Sequence, residues 1–450
     1  MFDLRQQKIE YFRIAYLALI CSLMLGPTAT YIAFGAIVII ESTLVRGSSF
    51  RSDFLSLFAT TRWFWSILAA FCLIFSATVF FGGYADFGEV GELKWVIILI
   101  GLFFPSCTIL AIPPKGRGEK TMAKVFLGLL VISVVAGAMQ VSLKYDYVRL
   151  LLFSDNSTMG GRASGILSNP IPFGQLMGAI FFIGLAGYLV LGKHISRRIS
   201  YFLLSVLVLS FLGLILSESR GAWLALVLTS FFSFFYTESK ARKRWMKWIL
   251  LIGSIGVLAI VVFPEIRSRV VSGFDSSESS NRVRLELWRA NWEALKEHPL
   301  GVGYGGGDVL VEEVFPKLGY QLHGYMWHSH NEFIEIAVGA GWAGLILYLL
   351  MSALLLIVGI KEYYKFLRKG DEWKAFLSMS AVMIHTFIQF CALTDQTNTQ
   401  GRFLLCMAWA MALSSFALNR ITLAFFKEGN SDRTQTGEMS FPCSAEDSRE

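Results

Sequence analysis

Long apolar runs recur along this sequence, and they constrain its fold more than any single motif does. A hydrocarbon core about 30 Å thick is crossed by about 20 apolar residues in helical form. Gly26 and Pro27 divide the first long apolar stretch into two short runs, so a single kinked helix or a re-entrant pair stays open there. The pattern predicts an all-α polytopic membrane protein with about 12 transmembrane helices. The runs lie at approximately 13–26, 28–42, 63–82, 94–112, 122–142, 172–192, 200–217, 221–237, 248–264, 333–360, 375–393 and 402–424.

The amino-acid composition excludes several classes of protein. Hydrophobic residues make up 54% of the chain and charged residues only 16%, whereas an average soluble domain is about 25% charged. Because so little charge cannot cover a water-soluble surface, the chain must contact lipid. We therefore exclude a soluble enzyme, a disordered protein and a nucleic-acid-binding protein, despite the net charge of +7, and we expect membrane lipids among the partners.

The distribution of Lys and Arg predicts the orientation of the chain. Positive residues are retained on the cytoplasmic side, and the connections between the runs alternate between rich and poor in them. Both chain ends then lie in the cytoplasm, with a transmembrane domain over 1–424 and a polar, disordered tail over 425–450. Two outer segments are too long to be turns, 143–171 and 264–332, and the second is inserted between the ninth and tenth helices. The connections rich in Lys and Arg are those around Arg46 to Arg62, Lys115 to Lys124, Lys193 to Arg198, Lys240 to Lys247 and Lys361 to Lys374.

One glycine-rich motif imitates a cofactor site. The run Gly301-Val-Gly303-Tyr-Gly305-Gly306 satisfies the GxGxxG pattern of dinucleotide-binding proteins. No strand-turn-helix unit is expected around it, however, and that unit is what gives the pattern its meaning. We interpret it as a flexible loop and expect no cofactor.

Outer arginines are informative because membrane topology disfavours them there. Arg220 lies in the short outer turn from Ser217 to Trp223. It is either an anchor at the membrane interface, paired with Trp223, or a site for an anion such as a lipid diphosphate, which a guanidinium binds through two parallel hydrogen bonds. Arg162 lies in the Gly/Ser-rich stretch from Gly160 to Gly165, where a plain connector and a substrate-contacting loop are equally good interpretations.

The segment from Asn281 to Leu295 predicts an amphipathic helix in the second outer segment. Leu285, Trp288, Trp292 and Leu295 share one face of a helical wheel, which would allow the helix to lie on the outer leaflet. Arg284 falls inside this apolar stripe, whereas Arg282 and Arg289 point away from it. Arg284 either extends to lipid headgroups or meets the phosphates of a lipid-linked substrate.

Two histidines precede the tenth apolar run. His328 and His330 are separated by one residue and followed by Asn331 and Glu332. An HxH pair can be half of a metal site, but the other outer histidines, His298 and His323, have no recognisable ligand spacing to it. A polar helix cap is a further alternative. We favour general-base catalysis, because an imidazole can take a proton from a sugar hydroxyl at neutral pH, and Asn331 can help to orient it.

At this point the chain resembles a known family. His330-Asn331, nine residues, and then Gly341-Trp-Ala-Gly344 match a pattern of the bacterial O-antigen ligases, which belong with O-antigen polymerases and protein O-oligosaccharyltransferases. An arginine in a short outer turn, an RxxxW helix opened by Arg284 and a large outer loop between late helices also recur in this superfamily. The resemblance covers roughly residues 160–400.

The resemblance implies a GT-C-like glycosyltransferase of the bacterial inner membrane, with its active site facing the periplasm. The donor would be O-antigen linked to undecaprenyl diphosphate, and the acceptor would be the lipid A core oligosaccharide. His330 would be the base, while Arg220 and Arg284 would stabilise the diphosphate without a metal ion. We expect further substrate contacts from Arg162, His328, Asn331 and Arg289. The segment 264–332 would be the periplasmic loop.

Two kinds of alternative stay open. A polymerase or a protein O-oligosaccharyltransferase of the same superfamily would use the same donor and another acceptor. A transporter of lipid-linked glycans is a different class, but transporters tend to carry ionisable residues within their spans and to show related halves. The central runs of this chain are nearly free of charge and show no clear repeat.

Overall fold

The computed structural model describes most of the chain between residues 14 and 435. The described residues are 14–16, 18–25, 29–37, 55–82, 94–111, 117–146, 161–167, 169–192, 196–275, 279–303, 309–320, 328–395 and 399–435. They contain helices and no strand, which confirms the all-helical prediction for this part of the chain.

The helices follow the chain in the order of the predicted apolar runs. We number those described α1 to α16, and a π-helical stretch, Val309–Val314, lies between α12 and α13. The bounds are α1 14–25, α2 29–37, α3 55–60, α4 Arg62–Gly82, α5 Lys94–Ala111, α6 Arg117–Leu143, α7 Pro170–Leu191, α8 Arg197–Leu216, α9 Arg220–Tyr236, α10 Ser239–Val262, α11 Pro264–Ser272, α12 Ser279–Glu297, α13 Phe315–Leu318, α14 Glu332–Arg368, α15 Glu372–Ala392 and α16 Thr399–Gln435.

Seven of the described helices are long and apolar enough to cross a membrane. They are α6, α7, α8, α10, α14, α15 and the part of α16 up to Arg420. Apolar helices also occupy 14–25, 62–78, 94–107 and 220–236, and they are shorter. The run predicted at 28–42 is described as helix only over 29–37. The chain is thus a polytopic membrane protein by helix length and composition, and the number twelve stays a prediction.

The helices α7 and α15 form the centre of the bundle. Both are 83% buried over their apolar windows. Gly178 of α7 allows their close approach, because a Cβ atom at this position would lie 2.1 Å from the Phe387 ring of α15. Small residues at such a crossing are how membrane helices pack tightly, since lipid offers no hydrophobic driving force between them. By contrast, the apolar window of α10 is only 6% buried.

Within the segment 264–332, the helix α12, Val302 and residues 309–315 share a separate core, to which Ala337 and Val338 of α14 contribute. The core side of α12 is formed by Leu287, Ala290 and Ala294, each fully buried against Val302 and Phe315 among others. Of the apolar face seen in the sequence, Leu295 is buried in this core, whereas Leu285 and Trp292 are each 51% exposed. The two alanines carry little hydrophobic signal in the sequence, yet their small side chains let α12 pack closely.

The glycine motif at 301–303 is ordered, which corrects its interpretation as a flexible loop. The helix α14 is interrupted at Gly341, where φ is 68° and ψ is −176°. Val302 N donates to Val338 O and Gly303 N to Gly339 O, at 2.8 and 3.0 Å. These bonds fix the end of α12 to the broken helix. The remaining motif glycines, 305 and 306, lie outside the described residues.

The last helix continues further than the sequence predicts. The helix α16 extends to Gln435, whereas a disordered tail was predicted from residue 425. The residues 436–450 of that predicted tail lie outside the described residues.

Candidate active site

The structure pairs His330 with a carboxylate that lies 65 residues further along the chain. His330 Nδ1 is 3.1 Å from Asp395 Oδ1. The His330 side chain is 41% exposed and that of Asp395 only 14%, so the imidazole is accessible and its partner is shielded. The backbone of His330 has a φ of 51°, a conformation that L-residues rarely adopt and that clusters at functional sites.

Asn331 holds the backbone of this loop. Its Oδ1 accepts from Phe333 N and Ile334 N at 3.0 and 3.2 Å and so caps the first turn of α14. Its Nδ2 donates to Leu393 O at 3.0 Å, two residues before Asp395. Asn331 therefore brings the His330 loop to the end of α15, and it positions His330 through the main chain.

The residue between the two histidines is anchored by a buried glutamate. Glu335 Oε2 accepts from Ser329 N at 3.0 Å and from Ser329 Oγ at 2.7 Å. His328 Nδ1 lies 3.6 Å from Glu335 Oε1. Trp288 Nε1 of α12 donates to Ser329 O at 2.7 Å. The two histidines thus lie next to different carboxylates, His330 next to Asp395 and His328 next to Glu335. The hydrogen bond from Trp288 connects α12 directly to the loop that carries both histidines.

Three arginines converge on the turn between α8 and α9. Arg162 Nε donates to Ser217 O at 3.1 Å, and Arg269 Nε approaches Glu218 O at 3.5 Å. Arg220 opens α9, and its Nη1 donates to Ser272 Oγ at 3.2 Å. We call Arg162, Arg220 and Arg269 the arginine cluster. Glu218, at the centre of the turn, has a φ of 49°.

The charges of this cluster act on one another. Burial, followed by the positive charge of Arg269, lowers the pKa of the Arg162 guanidinium to about 10, and Arg220 adds to this effect against the opposing carboxylates of Glu218 and Asp395. Burial raises the pKa of Glu218 above its ordinary value, although Arg269 and Arg162 oppose the shift. A positively charged group held among like charges is stabilised by a bound anion. The cluster therefore has the electrostatics of an anion site.

The loop that carries Arg162 is held by hydrogen bonds to α6 and to the end of α8. Gln140 Oε1 of α6 accepts from Ser164 N and Gly165 N, each at 2.9 Å. Ala163 N donates to Leu216 O at 3.1 Å. These bonds fix the position of the Arg162 backbone relative to the turn.

The arginine cluster and the His330–Asp395 pair are adjacent. Asp395 is close enough to influence the pKa of Arg162. Thr394 packs against the first turn of α9, because a Cβ atom on Gly221 would lie 2.2 Å from Thr394 Oγ1. The absence of a side chain at Gly221 thus allows the turn that carries Asp395 to contact the turn that carries Arg220.

The two other predicted arginines differ in position. Arg284 is half-buried and lies one turn before Trp288 on α12, which contacts the His330 loop. It makes no hydrogen bond or ion pair within the described part of the chain. Arg289 is exposed and lies about 160° around the helix from buried Leu287, when successive residues are about 100° apart. The structure does not bring Arg289 to the site.

Potential metal ligands meet elsewhere. Glu297, His298 and Glu313 place one ligand atom each within 4.8 Å of one another. Glu297 Oε2 is also 2.8 Å from Lys317 Nζ. His298 lies ten residues beyond Trp288, about 15 Å along the helix direction at 1.5 Å per residue, so this group is separate from the His330 pair.

Comparison with known families identifies the central part of the chain. Residues 205–349 match the family model described as O-antigen ligase. This segment is similar to the O-antigen ligases. This confirms the resemblance seen in the sequence. No protein of curated function matches the chain.

The matched segment contains most of the residues that the sequence predicted. It includes Arg220, Arg284 and His330, and it contains Arg269, which the sequence analysis missed. Asp395 lies beyond the matched residues and was also missed. Each had one signal in the sequence: Arg269 is a cation in a segment predicted to lie on the outer side, and Asp395 is a lone carboxylate in a short turn predicted to lie there.

Proposed function

We propose that this protein is an O-antigen ligase that transfers a glycan from undecaprenyl diphosphate to the lipid A core at the periplasmic face of the inner membrane. The observation that carries the proposal is the His330–Asp395 pair beside the arginine cluster. This arrangement offers one group that can accept a proton and several fixed positive charges that can bind a diphosphate. The family supports lipid-linked polysaccharide substrates in general.

The arginine cluster would bind the diphosphate of the donor. Its departure from the anomeric carbon leaves negative charge on the leaving oxygen, and guanidinium groups fixed in advance stabilise such charge where it develops. Arg162 and Arg269 are oriented by backbone carbonyls of the same turn, so little reorganisation is needed. Arg284, which has no partner within the described residues, would contribute from α12. These side chains make a metal ion unnecessary for charge stabilisation.

His330 would take the proton from the acceptor hydroxyl. Donation from Nδ1–H to Asp395 leaves Nε2 free to accept a proton, and the carboxylate stabilises the imidazolium that forms. The acceptor oxygen then attacks the anomeric carbon as the bond to the diphosphate breaks. A single displacement of this kind inverts the anomeric configuration. Asp395 acts through His330 and is a positioning residue.

The direct test is transfer by the purified protein in the presence of EDTA. The donor is a glycan on undecaprenyl diphosphate, and the acceptor is lipid A core. We expect glycosylated lipid A core from the wild-type protein and none from His330→Ala, with unchanged membrane insertion and thermal unfolding. Full activity of His330→Ala would eliminate it as the base, and loss of activity in EDTA would refute metal independence.

The same assay separates the other members of the superfamily. A polymerase would extend the lipid-linked glycan and leave lipid A core unmodified. A protein O-oligosaccharyltransferase would glycosylate Ser or Thr of an added acceptor protein. Either product without modified lipid A core would overturn the choice of acceptor and keep the proposed chemistry of His330.

The proposed orientation has its own test. With both termini cytoplasmic, α12 and the His330 loop face the periplasm. A cysteine introduced at exposed Arg289 should react with a membrane-impermeant thiol reagent in cells whose outer membrane is permeabilised. A cysteine at exposed Lys369, at the other end of α14, should not react. The reverse pattern would refute the orientation.

A further inference from the structure

An apolar cleft of about 130 Å³ lies between α4, α5, α14 and α16. Its walls include Phe71 and Phe75 of α4, Trp95 and Val96 of α5, and Leu405 of α16. None of these residues takes part in the site described above. An apolar cavity of about 150 Å³ is large enough to bind a benzene molecule, so the cleft can hold a segment of hydrocarbon chain.

The cleft opens sideways because its two outer helices pack on different partners. The helix α4 packs on α14, whereas α5 packs on α16. At one end α4 and α5 meet, where the rings of Trp65 and Phe103 have their centroids 5.6 Å apart. At the other end the cleft separates them, and Phe71 and Val96 on its walls are partly exposed. The opening therefore faces the surroundings of the apolar helices, which in a membrane are lipid chains.

The wide end of the cleft has a polar boundary. Glu332 and Arg402 line the cleft there and form an ion pair, with Arg402 Nη2 3.6 Å from Glu332 Oε1. Their side chains are only 9% and 14% exposed, respectively. Glu332 is the second residue after His330. An amphiphile in this cleft would thus have its chain among apolar side chains and its polar part next to the proposed base.

The arginine cluster and the cleft lie on different helices. The cluster is formed by the turn before α9, by α11 and by the loop at 161–167, none of which lines the cleft. The face of α14 that lines the cleft carries Glu332, Ile336 and Ala340. Val338 lies on another face of α14 and packs into the core that includes α12. Two lipids could therefore reach His330 along separate routes.

We infer that this cleft binds an acyl chain of the acceptor lipid, whose sugar then reaches His330. This inference rests on the proposed function. The arginine cluster, which suits the donor diphosphate, lies on elements that do not line the cleft, so the cleft is available to the second lipid, the acceptor. An ion pair of this kind suits hydroxyl groups of a carbohydrate, which both donate and accept hydrogen bonds.

A substitution at the opening tests the inference. Val96→Trp fills the cleft from its partly exposed rim, and Ile97→Trp adds the same side chain at the next position, which is 67% exposed. We expect Val96→Trp to raise the acceptor KM at least tenfold and to leave the donor KM unchanged. Ile97→Trp should change neither. If Val96→Trp lowers the thermal unfolding midpoint, Val96→Phe replaces it as a smaller substitution.

A binding experiment that needs no turnover separates this inference from the proposed function. The probe is lipid A core with a diazirine at the end of one acyl chain, irradiated with the full-length protein in nanodiscs. We expect a crosslink within Lys94–Ala111 in the wild-type protein and in Ile97→Trp, and its loss in Val96→Trp.

The outcomes are distinct. Absence of that crosslink in a wild-type protein that transfers glycan would overturn the inference and leave the proposed function intact. The same crosslink from a donor with a diazirine in its polyprenyl chain, or a rise in the donor KM alone, would assign the cleft to the donor and refute the inference. A crosslink from lipid A core in a protein that modifies no lipid A core would refute the proposed function instead.

Discussion

Replacing Asp395 by Asn tests the central feature of the site. The change keeps the shape of the side chain and removes the charge that faces His330 Nδ1 at 3.1 Å. A hydrogen bond to a charged group contributes about 1.5–3 kcal/mol, and about 1.4 kcal/mol corresponds to a tenfold change in rate. The imidazolium formed in the reaction would lose this stabilisation. We therefore expect kcat to fall by about 10- to 100-fold, and further if the amide donates to Nδ1 and reverses the tautomer of His330.

The assay is steady-state transfer with the donor and the acceptor varied separately. Because Asp395 bonds to His330, kcat should fall, while the donor KM should not rise, since the change removes no positive charge from the arginine cluster. The matched control is Asp371→Asn at the other end of α15, where Asp371 caps the helix by accepting from Lys374 N. Asn caps a helix as well as Asp does, so this variant should retain full activity. A kcat within about threefold of wild type for Asp395→Asn would refute the argument.

A double substitution shows whether the two residues act as a unit. If Asp395 works only through His330, adding Asp395→Asn to His330→Ala should cost little beyond the single change. A further loss of the full size seen in the wild-type background would mean that Asp395 has a separate role, for example towards the arginine cluster.

Two further predictions concern the donor site and the broken helix. Arg269→Gln should raise the donor KM at least tenfold, because it removes one charge-assisted contact worth about 1.5–3 kcal/mol. The control, Arg289→Gln on the exposed side of α12, should leave the donor KM unchanged. Equal effects of the two substitutions would remove Arg269 from the site. Gly341→Ala should lower the thermal unfolding midpoint of the purified protein far more than Gly370→Ala. Both glycines have positive φ, 68° and 70°, but only at Gly341 would a Cβ atom meet other backbone, 2.5 Å from Leu300 C. The cost is about 1–3 kcal/mol for the backbone conformation alone and about 1–3 kcal/mol more for the clash. Similar midpoints for the two variants would contradict this.

The sequence predicts the helices of this protein well, because a long apolar run is a local property. The direction of α12 was harder to predict, since its core side is formed by Ala290 and Ala294, which differ little from surface alanines in a sequence. Asp395 and Arg269 could not be connected to His330 and Arg162, because these contacts depend on how distant helices pack. The glycines of the 301–303 motif were misread for the same reason, since their partner is the break at Gly341.

The arrangement of the site links the two halves of the proposed reaction through Asp395. This carboxylate bonds to His330 and also acts on Arg162, so it is shared between the proposed base and the proposed diphosphate site. In the empty site the arginines attract the Asp395 charge. The contact between Gly221 and Thr394 also joins the two sites directly, because the turn that carries Asp395 packs against the turn that carries Arg220. In the proposed mechanism, one carboxylate and one contact between turns therefore hold the base next to the diphosphate site.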